Sequence, residues 1–266
     1  MIREITIGQY YKGDSLLHRA DPRMKIVATV LYIISLFVAK SLLSYALAAI
    51  FLFAAIRIST VPLSYMVRGL KAIFMILLFS VVVNMIFIKG RVLVDFKLFT
   101  ITYEGLTTAG LMAVRLIFLV MGTSIMTLTT TPNRLTDGME ELLGPLKKIH
   151  IPVHEIAMMM SIALRFIPIL TEELDKIMKA QMARGANFDE GNVIQKLKSM
   201  VPILVPLFVS AVRRANDLAL AMESRCYNGG DGRTKMKPLK YQKRDYMIYA
   251  AVIIYFAVLI ALRIIL

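Results

Sequence analysis

The sequence predicts an all-α, polytopic membrane protein with about five transmembrane helices and a cytoplasmic domain of long amphipathic helices. Three observations predict it. Of the 266 residues, 58% are hydrophobic and only 19% charged, against about 45–50% and 25% in average soluble domains; mean hydropathy is +0.66. Five apolar runs approach the roughly 20 residues that a helix needs to cross a bilayer core of about 30 Å. The charge is lopsided, 32 Lys and Arg against 18 Asp and Glu for a net +14, and the basic residues gather on one side of those runs. In a soluble chain such charge points to nucleic acid. In a chain this apolar it marks the cytoplasmic membrane face, and no nucleic-acid partner is expected. The single cysteine, Cys226, excludes an internal disulfide and a multi-thiolate metal site.

The N-terminal 21 residues are polar and carry no apolar core followed by a small-residue cleavage site, so no signal peptide is expected and the first apolar run is a retained anchor. Asp21-Pro22 opens that run. It reads as a helix cap with proline at the first helical position, or as a pair with a direct transport role. The expected spans are 24–38, 42–58, 70–88, 107–127 and 246–266. The first two form a tight helical hairpin. Arg115 inside the fourth is costly in lipid and should face protein or water. Segment 92–103 alternates apolar and polar residues, as a short β-hairpin does. With the N-terminus inside, 26 Lys and Arg fall on the cytoplasmic side and five outside, which places the C-terminus outside.

Residues 132–245 read as three helices. The first follows Thr131-Pro132, and Gly144-Pro145 bends or breaks it. The second runs from Ile151-Pro152 to Met182 or Arg184, with an apolar first half and a charged second half. That half offers Glu172–Lys176 and Asp175–Lys179 as i,i+4 pairs. Its apolar half, about fifteen residues ending near Arg165 and Pro168, is short for a span and is expected to lie under the membrane. The third helix, about 193–225, repeats the design: an apolar start with Pro202 and Pro206, a charged end, a terminal arginine. The two terminal arginines, Arg184 and Arg225, stand 41 residues apart. Six basic residues follow between 233 and 244 and read as an anchor to anionic lipid. Three regions result: 1–131 with four spans, the cytoplasmic helices 132–232, and a basic linker with the last span, 233–266.

Two tripeptides close the long helices: Ala183-Arg184-Gly185 and Ser224-Arg225-Cys226. Arginine at a helix C-terminus complements the dipole, and Gly185 suits a left-handed cap. Equally, two equivalent guanidinium forks can present one handle to two equivalent partners. Met158-Met159-Met160 reads either as core or as an adaptable thioether surface for interchangeable partners. No G-x-x-x-x-G-K-[ST] phosphate loop exists, and His154-Glu155 lacks the second histidine of H-E-x-x-H. Neither a catalytic nor a metal site is expected.

The chain resembles the transmembrane T component of energy-coupling factor (ECF) transporters. The resemblance rests on Gly8-Gln9-Tyr10-Tyr11 with Asp14-Ser15, His18-Arg19-Ala20-Asp21-Pro22-Arg23-Met24-Lys25, Thr130-Thr131-Pro132, Pro145-Leu146-Lys147, Ile162–Pro168, Lys179–Gly185, and Arg213-Arg214-Ala215 with Ala221–Tyr227. Lys12 stands where the family pattern has proline, and Ser-Arg-Cys replaces the commoner Ala-Arg-Gly at the second motif. The resemblance implies a non-catalytic coupling subunit in a prokaryotic plasma membrane, part of a vitamin or micronutrient importer. Its implied partners are two ABC-type ATPases, which bind the ATP and magnesium, and a small membrane substrate-binding (S) subunit; the chain itself needs no cofactor. It assigns ATPase docking to Ala183, Arg184, Gly185, Ser224, Arg225 and Cys226. Met158, Met159 and Met160 are then candidates for contact with the S subunit. The competing class, a self-contained secondary transporter, requires polar groups converging at the midplane, and the spans supply only Arg115 and Asn84.

Overall fold

A computed structural model describes residues 10–88, 91–96, 99–186, 188, 192–230, 236 and 238–265. The motif residues Gly8 and Gln9, Lys89-Gly90, Asp231-Gly232, and 233–235 and 237 of the basic stretch lie outside the described residues. The chain divides into two compact units, Met1–Leu142 with Leu239–Leu266, and Leu143–Pro238.

The first unit contains α1 (Leu16–Arg19), α2 (Pro22–Val38), α3 (Leu42–Ser59), α4 (Leu63–Phe87), strands β1 (Val92–Phe96) and β2 (Phe99–Thr102), α5 (Tyr103–Thr129) and α6 (Pro132–Leu143), and is completed by α9 (Lys243–Ile265). Asp21 caps α2 by accepting from the Arg23 N–H, with Pro22 at the first helical position, so the cap reading of Asp21-Pro22 holds. Ser41 caps α3 and makes α2–α3 the expected hairpin. The alternating segment forms an antiparallel hairpin that pairs Val94 with Ile101 and Phe96 with Phe99.

The interior of this unit is built from Tyr32, Leu36, Leu52, Ile56, Met66 and Leu259 with their neighbours. Phe51 stacks on Tyr255 at 4.3 Å, and the Tyr255 and Ser35 hydroxyls share a 2.7 Å hydrogen bond. Gly122 admits the Tyr32 ring, since a Cβ there would lie 2.5 Å from Tyr32 Cε1. Polar ties fix the helix ends. Buried Asp245 accepts from the N–H of Asp21 at 2.9 Å and that of Gln242 at 2.8 Å, joining the starts of α2 and α9. Lys25 donates to Thr129 O and Thr130 Oγ1, both at 2.9 Å, joining α2 to the end of α5. Arg115 faces protein, as expected: it donates to Tyr45 Oη at 2.9 Å and Ala39 O at 3.4 Å, over the α2–α3 turn.

The second unit holds a 3-10 turn (Gly144–Ile149), α7 (Val153–Ala183) and α8 (Val193–Glu223). Gly144-Pro145 breaks the preceding helix into that turn rather than bending it. The α7 and α8 helices are 31 residues each, or about 46 Å at 1.5 Å per residue.

Length and composition qualify α3, α5, α7, α8 and α9 to cross a bilayer, and α4 adds a sixth if its arms Leu63–Lys71 and Ile73–Met85, which meet at 60°, count as one span. The multi-pass, all-α architecture is therefore as expected, but the inventory of long helices differs in two ways. Helix α2 is only 17 residues long, and Arg23 and Lys25 shorten its uncharged part further. Conversely, α7 and α8 pass, because each runs unbroken through its prolines instead of ending its apolar stretch there.

Candidate functional site

The α7 and α8 helices pair in antiparallel fashion. Near the middle of the pair, Glu173 accepts from Ser210 Oγ at 2.6 Å through one oxygen, and from Arg214 through the other, at 2.7 and 3.2 Å. Eight residues further along α7, Gln181 Nε2 donates to Pro202 O at 3.3 Å. The second bond has a covalent cause. Pro206 has no N–H, so the carbonyl four residues earlier, that of Pro202, lacks its helical partner, and Gln181 supplies a substitute. In the other direction Ile162, Phe166 and Leu170 line a groove with Ala211, Leu218 and Met222. The His154 ring lies against Gly230, where a Cβ would come within 2.3 Å of it.

The two arginine motifs sit in the same local structure. At the end of α7 the Gly185 N–H donates to Met182 O at 2.9 Å and the Ala186 N–H to Gln181 O at 3.0 Å. At the end of α8 the Cys226 N–H donates to Glu223 O at 2.8 Å and the Tyr227 N–H to Met222 O at 3.1 Å. These paired bonds, with a left-handed residue at the turn, form the Schellman motif. Gly185 has φ +89° and Cys226 has φ +54°. Arg184 and Arg225 therefore occupy equivalent cap positions, and both are exposed. The repeat visible as a 41-residue spacing is a repeat of backbone geometry.

Because the helices are antiparallel, the two arginines stand at opposite ends of the pair. The pairing carries Met158, Met159 and Met160 toward the end that bears Arg225 and away from Arg184. Met159 and Met160 are exposed and Met158 is half-buried, so the trio is surface rather than core. An unassigned apolar face lies on α8, where Met200, Val201, Leu204, Val205 and Phe208 are all exposed. Their i, i+1, i+4, i+5, i+8 spacing was the available signal. Among the described residues the i,i+4 pairs Glu172–Lys176 and Asp175–Lys179 do not close into ion pairs, whereas Glu173 does, across the helix pair. Among the described residues no group of three or more His, Cys, Asp or Glu could hold a metal ion.

The family model described as cobalt transport protein (CbiQ) matches residues 13–236. The chain is similar to proteins named energy-coupling factor transporter transmembrane protein EcfT. It is 53% identical over 250 residues to that of Thermosediminibacter oceani, covering 94% of each chain. With that of Clostridium kluyveri it shares 54% identity over 250 residues, covering 93% of this chain and 92% of the relative. The Bacillus subtilis protein is 45% identical over 264 residues, 99% of this chain and 100% of the relative.

Proposed function

Because the chain belongs to the family of energy-coupling factor transporter transmembrane proteins, we propose that it is the non-catalytic coupling subunit of a vitamin or micronutrient importer. In this reading it joins two ABC-type ATPases, which hold ATP and magnesium, to a small substrate-binding membrane subunit. The N-terminus lies in the cytoplasm and the C-terminus outside, a direction supported by the excess of basic residues in 1–25 and 132–245.

The observation that carries the proposal is the pair of identical helix caps presenting Arg184 and Arg225 at the two ends of one antiparallel helix pair. Each exposed guanidinium offers a rigid donor fork to an acceptor-lined groove, with Ala183 and Gly185, or Ser224 and Cys226, shaping the backbone around it. Two ends serve two ATPases. Closure of the ATPases on ATP draws the ends together, and the Glu173–Arg214 contact makes α7 and α8 move as one body. Met158–Met160 then contacts the substrate-binding subunit through thioethers that adapt to different partners.

The test is a mild-detergent pull-down from native membranes, comparing the wild type with Arg184→Ala/Arg225→Ala. The expected wild-type result is co-purification of two nucleotide-binding subunits and a small apolar protein, with ATP hydrolysis in the eluate; the double variant loses the ATPases. Undiminished ATPase recovery in the double variant removes the docking role, and a wild-type chain that elutes alone removes the scaffold.

A further inference from the structure

A second site lies in the first unit. A cavity of about 360 Å³ opens between α2, α3, α5 and α9. Its walls come from the same end of each helix: the first half of α2 and of α9, and the last turns of α3 and α5. Along α2 it reaches from Met24 to Tyr32, about 12 Å at 1.5 Å per residue, so it lies within one leaflet. The walls are almost wholly apolar, with Tyr32, Phe51, Ile125 and Val252 among them. Leu16, Ile58 and Met247 line it and are themselves exposed, so it opens sideways at the protein surface.

Among the described residues, the only charged ones in the walls are two cations, Lys25 and Arg244. Lys25 spends two of its three protons on Thr129 and Thr130. Arg244 Nε is buried without a hydrogen-bond partner among the described residues. A permanently charged donor left unpaired beside an apolar space is costly. Arg244 also sits in the first turn of α9, where the helix dipole already favours an anion. An apolar slot one leaflet deep, ending at two cations, matches an amphiphile with an anionic head and an acyl tail.

We propose that this cavity binds one anionic glycerophospholipid, with an acyl chain between α2, α3, α5 and α9 and its phosphate on Arg244 beside Lys25. The lipid comes from the leaflet at the level of Lys25 and Arg244. The site depends on the chain being a membrane protein and not on the ATPase reading, so either can fail alone. By binding where α2, α5 and α9 converge, the lipid acts as an internal wedge that holds these helices apart.

Native mass spectrometry of the full chain, titrated with phosphatidylglycerol, phosphatidylcholine or glycerol 3-phosphate, tests this. The wild type should retain one phosphatidylglycerol in preference to phosphatidylcholine. Arg244→Gln should lower its affinity about tenfold, as expected for a charged hydrogen bond. Ala28→Phe, which fills the slot, should also displace it, while glycerol 3-phosphate alone binds weakly. Equal retention of both lipids, unchanged phosphatidylglycerol binding in Arg244→Gln, or glycerol 3-phosphate bound as tightly as the lipid overturns the proposal. Arg244 lies half-exposed at the start of α9, so its variant decides the matter even if Ala28→Phe fails to fold.

Discussion

The two units of the chain hold themselves together in different ways. The first has a contiguous buried interior, including Leu36 and Leu259 at 0% exposure. In the second, among the described residues, only Val153, Ala157 and Ile203 are buried apolar residues, while α8 exposes a face that includes Leu204 and Phe208. The first unit is stabilised by its own packing. The second joins one helix pair through hydrogen bonds and an apolar groove, and α8 carries a contiguous exposed apolar face of the kind that marks interaction surfaces.

The sharpest way to break this contrast is to delete side chains of similar size from each unit. Leu259→Ala should cost about 2–5 kcal/mol, read as a lower denaturant midpoint of the purified chain. Leu204→Ala, 55% exposed at the start, should stay within about 0.5 kcal/mol. Equal costs would mean that the second unit has a core of its own. Next in size, Gly122→Ala forces a methyl to within 2.5 Å of the Tyr32 ring and should cost about 1–3 kcal/mol. A neutral result would show that the Tyr32 ring swings away freely.

The polar contact of the second unit should be worth less. A double-mutant cycle on Glu173→Ala and Arg214→Ala should give a small favourable coupling, well below the loss in Leu259→Ala, because the Arg214 side chain is 41% exposed and solvent screens the pair. No coupling would leave the α7–α8 pairing to apolar contact alone. The smallest effect separates the two caps. Cys226 holds a left-handed backbone that costs an L-residue roughly 1 kcal/mol, while glycine forfeits part of that in entropy. Cys226→Gly should therefore stabilise by about 0.5 kcal/mol, and Gly185→Ala should destabilise by about 1 kcal/mol; both can be read in thermal unfolding. A destabilising Cys226→Gly, or a neutral Gly185→Ala, would show that the two caps differ in more than their turn residue.

Much of this was legible in the chain itself. The runs 42–58, 107–127 and 246–266 reappear as Leu42–Ser59, Tyr103–Thr129 and Lys243–Ile265, because hydropathy and helix length are both local. Helix α4 starts seven residues before the expected position 70, since Arg68 and Lys71 resemble loop charges yet continue the helix. The arginine caps could be anticipated at Gly185, which suits the left-handed turn, but not at Cys226, which adopts it only because the Tyr227–Met222 bond closes the same motif. The Glu173–Ser210–Arg214 contact could not be anticipated. Glu172 and Asp175 offered plausible partners at helical spacing, and only the pairing of α7 with α8 selects Glu173. The cavity was equally hidden, because its wall gathers residues more than two hundred positions apart.

The cap of α8 has one more consequence. Cys226 is the single cysteine of the chain and is exposed, at the tip of a helix whose fellow tip lies at the far end of the pair. A maleimide dye or nitroxide attached there marks one defined point without any substitution elsewhere. Its fluorescence or spectral linewidth would follow what docks on that tip, or leaves it, in real time.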